Sequence, residues 1–309
     1  MAALDATNIV ETGAAIGRRP RRLDFIFWLA LLWIALVLAL AITAPLLPLA
    51  DPAHMSLLAR RAPPSAAHLL GTDALGRDLL ARIIFGARSS LAVGLLAPLA
   101  ATLVGGALGL VAGYFRGWLE TITVGASDVL LAFPPLVLAL AITAYLGQSV
   151  PNLILVLAIL TIPAVTRIAR VGTLALCGRD FVTAARALGA SHTRIMLREI
   201  LPNIALPLAA YFLLLVAVIV TAESILSFLG LGVPPPLPSW GSMIAEGRDN
   251  LDLAPHIAFI PAAVMFLTVL AFNLVGDRLR STGATSMRCR GNRCAGCAGA
   301  SWPSSSRTR

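Results

Sequence analysis

Residues 183–203 read TAARALGASHTRIMLREILPN and place three arginines, a histidine and a glutamate between two apolar runs. Just ahead of them, Asp180 is positioned to cap a short helix from Phe181 to Leu188, since a carboxylate suits a helix N-terminus. Gly189 is placed to end that helix in a left-handed conformation. Ser191 can cap a second helix that runs to about Leu201 and stops before Pro202. The small residues Ala184, Ala185, Gly189 and Ala190 would let another chain approach closely, and arginines, Arg194 among them, flank them. Two readings stay open from these residues alone. The segment is either a docking knob for a partner or an amphipathic loop on anionic headgroups with snorkelling arginines.

A second candidate is Glu223, the one acidic residue well inside an apolar run. Carboxylates in a membrane are costly and mark function by default. Glu223 would be a proton relay in an ion-coupled carrier, or a structural partner for polar groups near an outer gate; the structural role is favoured. Ser227 lies one turn further on. The stretch GVPPPLPSW (232–240) cannot be helical throughout, because its prolines remove donors and force extended backbone. It is expected to form an external loop with Trp240 near the membrane interface. Receptor docking and simple stiffening are equal readings of it. In 71–88, Gly71 and Gly76 allow tight turns. Asp73, Arg77, Asp78, Arg82 and Arg88 can pair at helical spacing, Asp78 with Arg82 at i,i+4. An external amphipathic helix is expected there, bracing the next span in preference to touching solute.

These groups need a membrane around them. The 309 residues are 58% hydrophobic and only 13% charged, with mean hydropathy +0.86, which fits a polytopic membrane protein. The net charge of +9 comes from arginine alone, for the chain holds no lysine. A P-loop needs its lysine at the terminal phosphates, so ATP hydrolysis by that route is excluded. The arginines sit beside apolar runs and not on one soluble face, so no nucleic-acid partner is expected. His54, His68, His192 and His256 lie on separate segments. Cys289, Cys294 and Cys297 have no nearby histidine. Neither a metal site nor any cofactor is expected. His192 reads as a surface residue, not a sensor.

About 20 apolar residues span the hydrocarbon core. Six runs qualify, approximately Phe25–Leu49, Ser89–Phe115, Val129–Leu146, Leu153–Val171, Ile204–Phe228 and Ile257–Gly276. Their backbones must bond internally, which makes them α-helices. With the N-terminus inside, 18 arginines fall on inner segments and 6 on outer ones, so both termini are expected in the cytoplasm. The expected organisation is a cytoplasmic tail (1–24), a first span with an external segment (25–86), a core (87–277) and an irregular end (278–309). Pro134–Pro135 and Pro163 should kink their helices. Gly94, Gly105, Gly106, Gly109 and Gly113 make a small-residue face, read as packing within the chain. From 281 the sequence turns rich in Ser, Arg and Gly. It is expected to be disordered, and out-of-frame translation is a hypothesis that the gene's reading frame would settle.

Thr183-Ala184-Ala185, Gly189 and Leu201-Pro202 resemble the Glu-Ala-Ala loop of binding-protein-dependent ABC importer permeases. Thr183 stands where Glu is usual in that pattern, and Glu199 where Ile is usual. LLGTDALGRDLLARIIFGARSSLAVGL (69–95), ESILSFLGLGVPPPLPSWGSMIAEGR (223–248) and FNLVGDRLR (272–280) resemble segments of the C-type permeases of dipeptide, oligopeptide and nickel importers. The resemblance covers about residues 20–280. It implies an all-α fold of six transmembrane helices with a type I, MetI-like core, and a first span that is a peripheral anchor. It implies that 180–203 is the loop that couples to the ATPase. It also implies a second, B-type permease, two ATP-binding cassette subunits and an extracytoplasmic solute-binding protein as partners, in a bacterial inner membrane. The chain itself would not be an enzyme. An ion-coupled carrier and a scaffold without a solute path are the rival classes.

Overall fold

The structure is a computed structural model that describes residues 22–292, with side chains from 25 to 280. The expectations for 1–21 and 293–309 lie outside the described residues. Described residues form helices joined by loops, with one isolated bridge between Thr72 and Asp78. In chain order the helices are α1 (Arg22–Thr43), α2 (Leu79–Phe115), α3 (Gly117–Ala132), α4 (Pro135–Leu146), α5 (Val150–Cys177), α6 (Asp180–Ala187), α7 (His192–Arg194), α8 (Leu201–Phe228), α9 (Trp240–Gly247) and α10 (His256–Asn292).

Five helices are long and apolar enough to cross a membrane, and a sixth span exists if α3 and α4 count as one. Those two meet at 87°. The expected third span, Val129–Leu146, is therefore not a straight rod. Pro134 and Pro135 remove two donors in succession, and the residue before a proline is pushed out of the helical region, where Phe133 sits at φ −87°, ψ 141°. Pro163 breaks nothing: α5 runs through it for 28 residues. The last helix continues to Asn292, past the 278 boundary where irregular chain is expected. No proline lies in 281–292 to stop it.

The small-residue face of α2 packs within the chain, as its spacing predicts. A Cβ on Gly105, Gly109 or Gly113 would come within 2.8 Å or less of α5: Ile162 O, Thr166 O and Thr173 Cβ respectively. Gly94 faces α8 instead, where a Cβ would lie 2.5 Å from Val220 Cγ2. So α2 sits between α5 and α8, close against both. Gly109→Val is expected to force these backbones apart at a cost of ~1–3 kcal/mol. A lower melting temperature of the purified protein in detergent would show it. α1 lies outside this core, joined to α10 by a bond from Trp33 Nε1 to Thr268 Oγ1 (3.1 Å) and by Ile34 and Val37 packing in the cluster with Phe272 and Val275.

Candidate functional site

The hairpin follows from its sequence at most positions. α6 ends where Gly189 adopts φ +76°, a left-handed angle that glycine takes without strain. Its N–H bonds to Arg186 O (3.0 Å), and that of Ala190 reaches Ala185 O (3.0 Å). Ser191 caps the second arm by accepting from the backbone N–H of Arg194. Asp180 departs from its expected role. Arg179 is the N-cap, and Asp180 lies inside the first turn, where it still favours the helix dipole without capping it.

The second arm does not stop at Pro202. Residues Ile195–Ile200 form a π turn in which Leu201 N–H bonds to Met196 O, five residues back. Proline cannot supply the usual i→i−4 bond and crowds the preceding turn. The wider turn just ahead of it accommodates that defect. Residues 192–228 therefore form one rod joining the hairpin to a span.

One side of the hairpin is anchored and the other is bare. Val182, Ile195 and Ile200 are fully buried, in a cluster with Val165, Ala169 and Ile204. Thr183, Ala184, Arg186, Leu188 and Arg194 are exposed, and Ala185 and Ala190 are half-buried. Leu188 is 88% exposed at the tip and Phe181 40%. A tip of this kind leaves apolar surface that nothing among the described residues covers.

The anchored side has a feature that sequence reasoning missed. Tyr114, in the last turn of α2, sets its hydroxyl 2.8 Å from His192 Nδ1. The Arg186 guanidinium lies over the Tyr114 ring at 5.4 Å. Phe115 packs edge-on against Tyr114 at 5.1 Å and tilted against His192 at 5.9 Å. Residues 78 positions apart meet here, and no local pattern announces the pairing.

At the opposite end of the bundle, Glu223 is fully buried where α2, α8 and α9 meet. Ser227 Oγ donates to its carboxylate (2.7 Å) and Ser90 Oγ does so more weakly (3.4 Å). Ser90 Oγ also accepts the backbone N–H of Trp240 (3.1 Å). Glu223 is thus held by hydroxyls. Trp240 does not present its ring to the surface, as an interfacial anchor would. It is fully buried at the start of α9 and donates Nε1–H to Ile83 O (3.1 Å). Ser239 closes a capping box with Ser242, and this turns the proline-rich loop into a short inserted helix.

Beside it lies an ion cluster. Asp73 pairs with Arg77 (2.6 Å) and Arg82, and both arginines pair with Glu246 on α9 (2.6 and 2.7 Å). The expected Asp78–Arg82 pair is absent among the described residues. Asp78 instead caps α2 by accepting from Ala81 N and faces His68 Nδ1 at 3.0 Å. The expected separate amphipathic helix is a bonded loop feeding directly into α2: Asp78 caps α2 itself, so the helical part of the segment, Arg82 included, is the first turns of that span. The segment's arginines tie it to α9 through Glu246.

No group of three or more His, Cys, Asp or Glu side chains arranged to hold a metal exists among the described residues. Between α4, α5 and α8 an apolar hollow of about 300 Å³ opens on one side, lined by Leu136, Ala139, Leu157, Tyr211, Val218 and Ala222 among others.

The family described as "Binding-protein-dependent transport system inner membrane component" matches residues 105–282. The glutathione transport system permease protein of Pectobacterium atrosepticum is 44% identical over 217 residues, which cover 70% of this chain and 72% of that protein. The chain belongs to this family. The corresponding protein of Escherichia coli O1:K1 is 42% identical over the same shares. The permease also resembles in fold a chain of the inward-facing MetNI methionine ABC transporter, with TM-score 0.53 and 16% identity over 66% of the permease and 95% of that chain. It is a multi-pass inner-membrane permease subunit of an ATP-driven, binding-protein-dependent importer. The ion-coupled carrier and the scaffold fall away as readings.

Proposed function

We propose that the permease forms one half of a translocation pathway for a small peptide-like solute, and that hairpin 180–203 is the surface through which an ATPase subunit drives it. One observation carries this reading: an exposed apolar tip, Leu188, with Phe181 exposed at the start of the first arm, rides on a hairpin continuous with a span through the π turn. An ATPase cleft would cover the tip, with Thr183, Ala184, Ala185 and Ala190 allowing close approach, Gly189 setting the bend and Arg194 at the rim. Asp180 starts the first arm, and Leu201 and Pro202 sit where the second arm enters the membrane. The one-sided hollow beside α4 supports a pathway completed by a second, B-type permease. Core 87–277 would supply that wall, with α1 as an anchor. Both termini face the cytoplasm in this arrangement, which requires the bent α3–α4 pair to count as one span. Glu223, Ser227 and Trp240 then belong to the outer gate, beneath an extracytoplasmic solute-binding protein. Two ATP-binding cassette subunits hydrolyse ATP, and the permease does not. Glutathione is the solute to test first, on the names of its relatives.

The test is co-purification of the tagged permease with its neighbouring permease, ATPase and binding-protein gene products. An ATPase that co-elutes and is stimulated by the loaded binding protein is expected. A permease that inserts stably and recruits no ATPase would overturn the reading.

A further inference from the structure

α2 has no covalent link to the hairpin, unlike α5 and α8, yet it carries the outer network at its other end. It is a single helix of 37 residues, about 55 Å long at 1.5 Å per residue. Arg82 and Ser90 lie near its outer end, bonded to Glu246 and Glu223. Tyr114 lies at its inner end. Its ring receives Arg186 from the first arm of the hairpin, and its hydroxyl meets His192 on the second. One side chain therefore holds both arms. Tyr114 is buried while His192 and Arg186 are exposed, so the two arms close over the ring from the surface side.

We propose that Tyr114 is a positioning residue that makes the hairpin and α2 move as one body, so that a displacement of the hairpin reaches the Glu223–Trp240 network along α2. This rests on the hairpin being the ATPase-facing element. The chemistry suits a permanent clasp. With Nδ1 bare, the tyrosine hydroxyl donates to it; with Nδ1 protonated, the imidazole donates to the phenol oxygen. The bond survives either state, and Arg186 adds a cation over the ring face. Close packing of α2 against α5 at Gly105, Gly109 and Gly113 then holds α2 against its neighbour over the length between its ends.

The test uses the assembled importer in lipid, with the four native cysteines replaced. Spin labels are placed at Thr193→Cys on the hairpin and Leu103→Cys on α2, both exposed and neither part of the tip. One narrow label distance, unchanged between the ATP-free and ATP-bound states, is expected. Tyr114→Phe keeps the ring and removes only the hydroxyl. It should broaden or split that distance and lower binding-protein-stimulated ATPase activity roughly three- to tenfold, the weight of one hydrogen bond. Exchanging the pair, Tyr114→His with His192→Tyr, restores a donor and an acceptor and should restore both readings. A wild-type distance that changes with ATP overturns the proposal. So does a Tyr114→Phe importer that matches wild type, or an exchange that restores nothing. The recovered amount of ATPase subunit separates the two readings. If wild type recruits none, the hairpin assignment fails and takes the clasp with it. If recruitment is normal and only the clasp variants are silent, the clasp alone fails.

Discussion

Gly189→Pro is expected to abolish solute uptake by the reconstituted importer while the permease still inserts and its ATPase partners still hydrolyse ATP. Gly189 sits at φ +76°, and proline holds φ near −65°. Proline also has no N–H, so the bond to Arg186 O at 3.0 Å is lost. The bend would open, and the two arms would no longer present Leu188 at a common tip. Gly189→Ala separates angle from space. A Cβ there would meet nothing within 4 Å, so alanine would feel only the left-handed strain of ~1–2 kcal/mol. That corresponds to roughly a 5- to 30-fold effect on a two-state equilibrium. The expected order is therefore wild type, then alanine, then proline at background. Uptake and ATP turnover measured on the same proteoliposomes check it. Wild-type uptake by the proline variant would sink the hairpin assignment.

The legible parts of this permease are those whose cause is local. Gly189 and Ser191 are readable because a positive φ and a free helix N-terminus each select residue types within a few positions. The glycine face of α2 is readable because helical period puts Gly105, Gly109 and Gly113 on one side. Pairings across the fold are not readable this way. Tyr114 with His192 and Arg82 with Glu246, 164 residues apart, depend on which helices become neighbours. The Asp78–Arg82 pair illustrates the competition. Its spacing is right, but a helix N-cap and a buried carboxylate at Asp73 offer each partner something stronger. Pro202 illustrates another: a proline stops a regular helix, yet a π turn lets a chain held at both ends continue. Proline position alone did not separate the break at Pro134–Pro135 from the continuity at Pro163.

Arg82→Ala should do the greatest damage to the folded permease. Arg82 is 3% exposed and serves both Asp73 and Glu246. Its loss leaves the fully buried Asp73 dependent on Arg77, and breaking a buried pair this way costs ~3–5 kcal/mol. α9 would lose part of its tie to α2, and the Trp240 contact with Ile83 lies one residue away. Low yield and a strongly lowered melting temperature in detergent are expected. Glu246→Gln should be milder, because that carboxylate is partly exposed and water can replace its share. Acid should reproduce part of the Arg82→Ala effect. Burial by itself would raise the pKa of Asp73, but the N–H of Arg77, the Arg82 and Arg77 guanidinium groups and the N–H of Leu75 outweigh it and hold the carboxyl below its usual 3.8. A carboxyl depressed in the folded state contributes stability above its unfolded pKa and loses it as pH falls through the folded one. The permease should therefore melt at lower temperature as pH drops below about 4, and Asp73→Asn should remove that part of the slope while lowering stability at neutral pH. An Asp73→Asn protein that keeps both the wild-type acid slope and the wild-type melting temperature at neutral pH would show that the cluster does not hold α9 to α2.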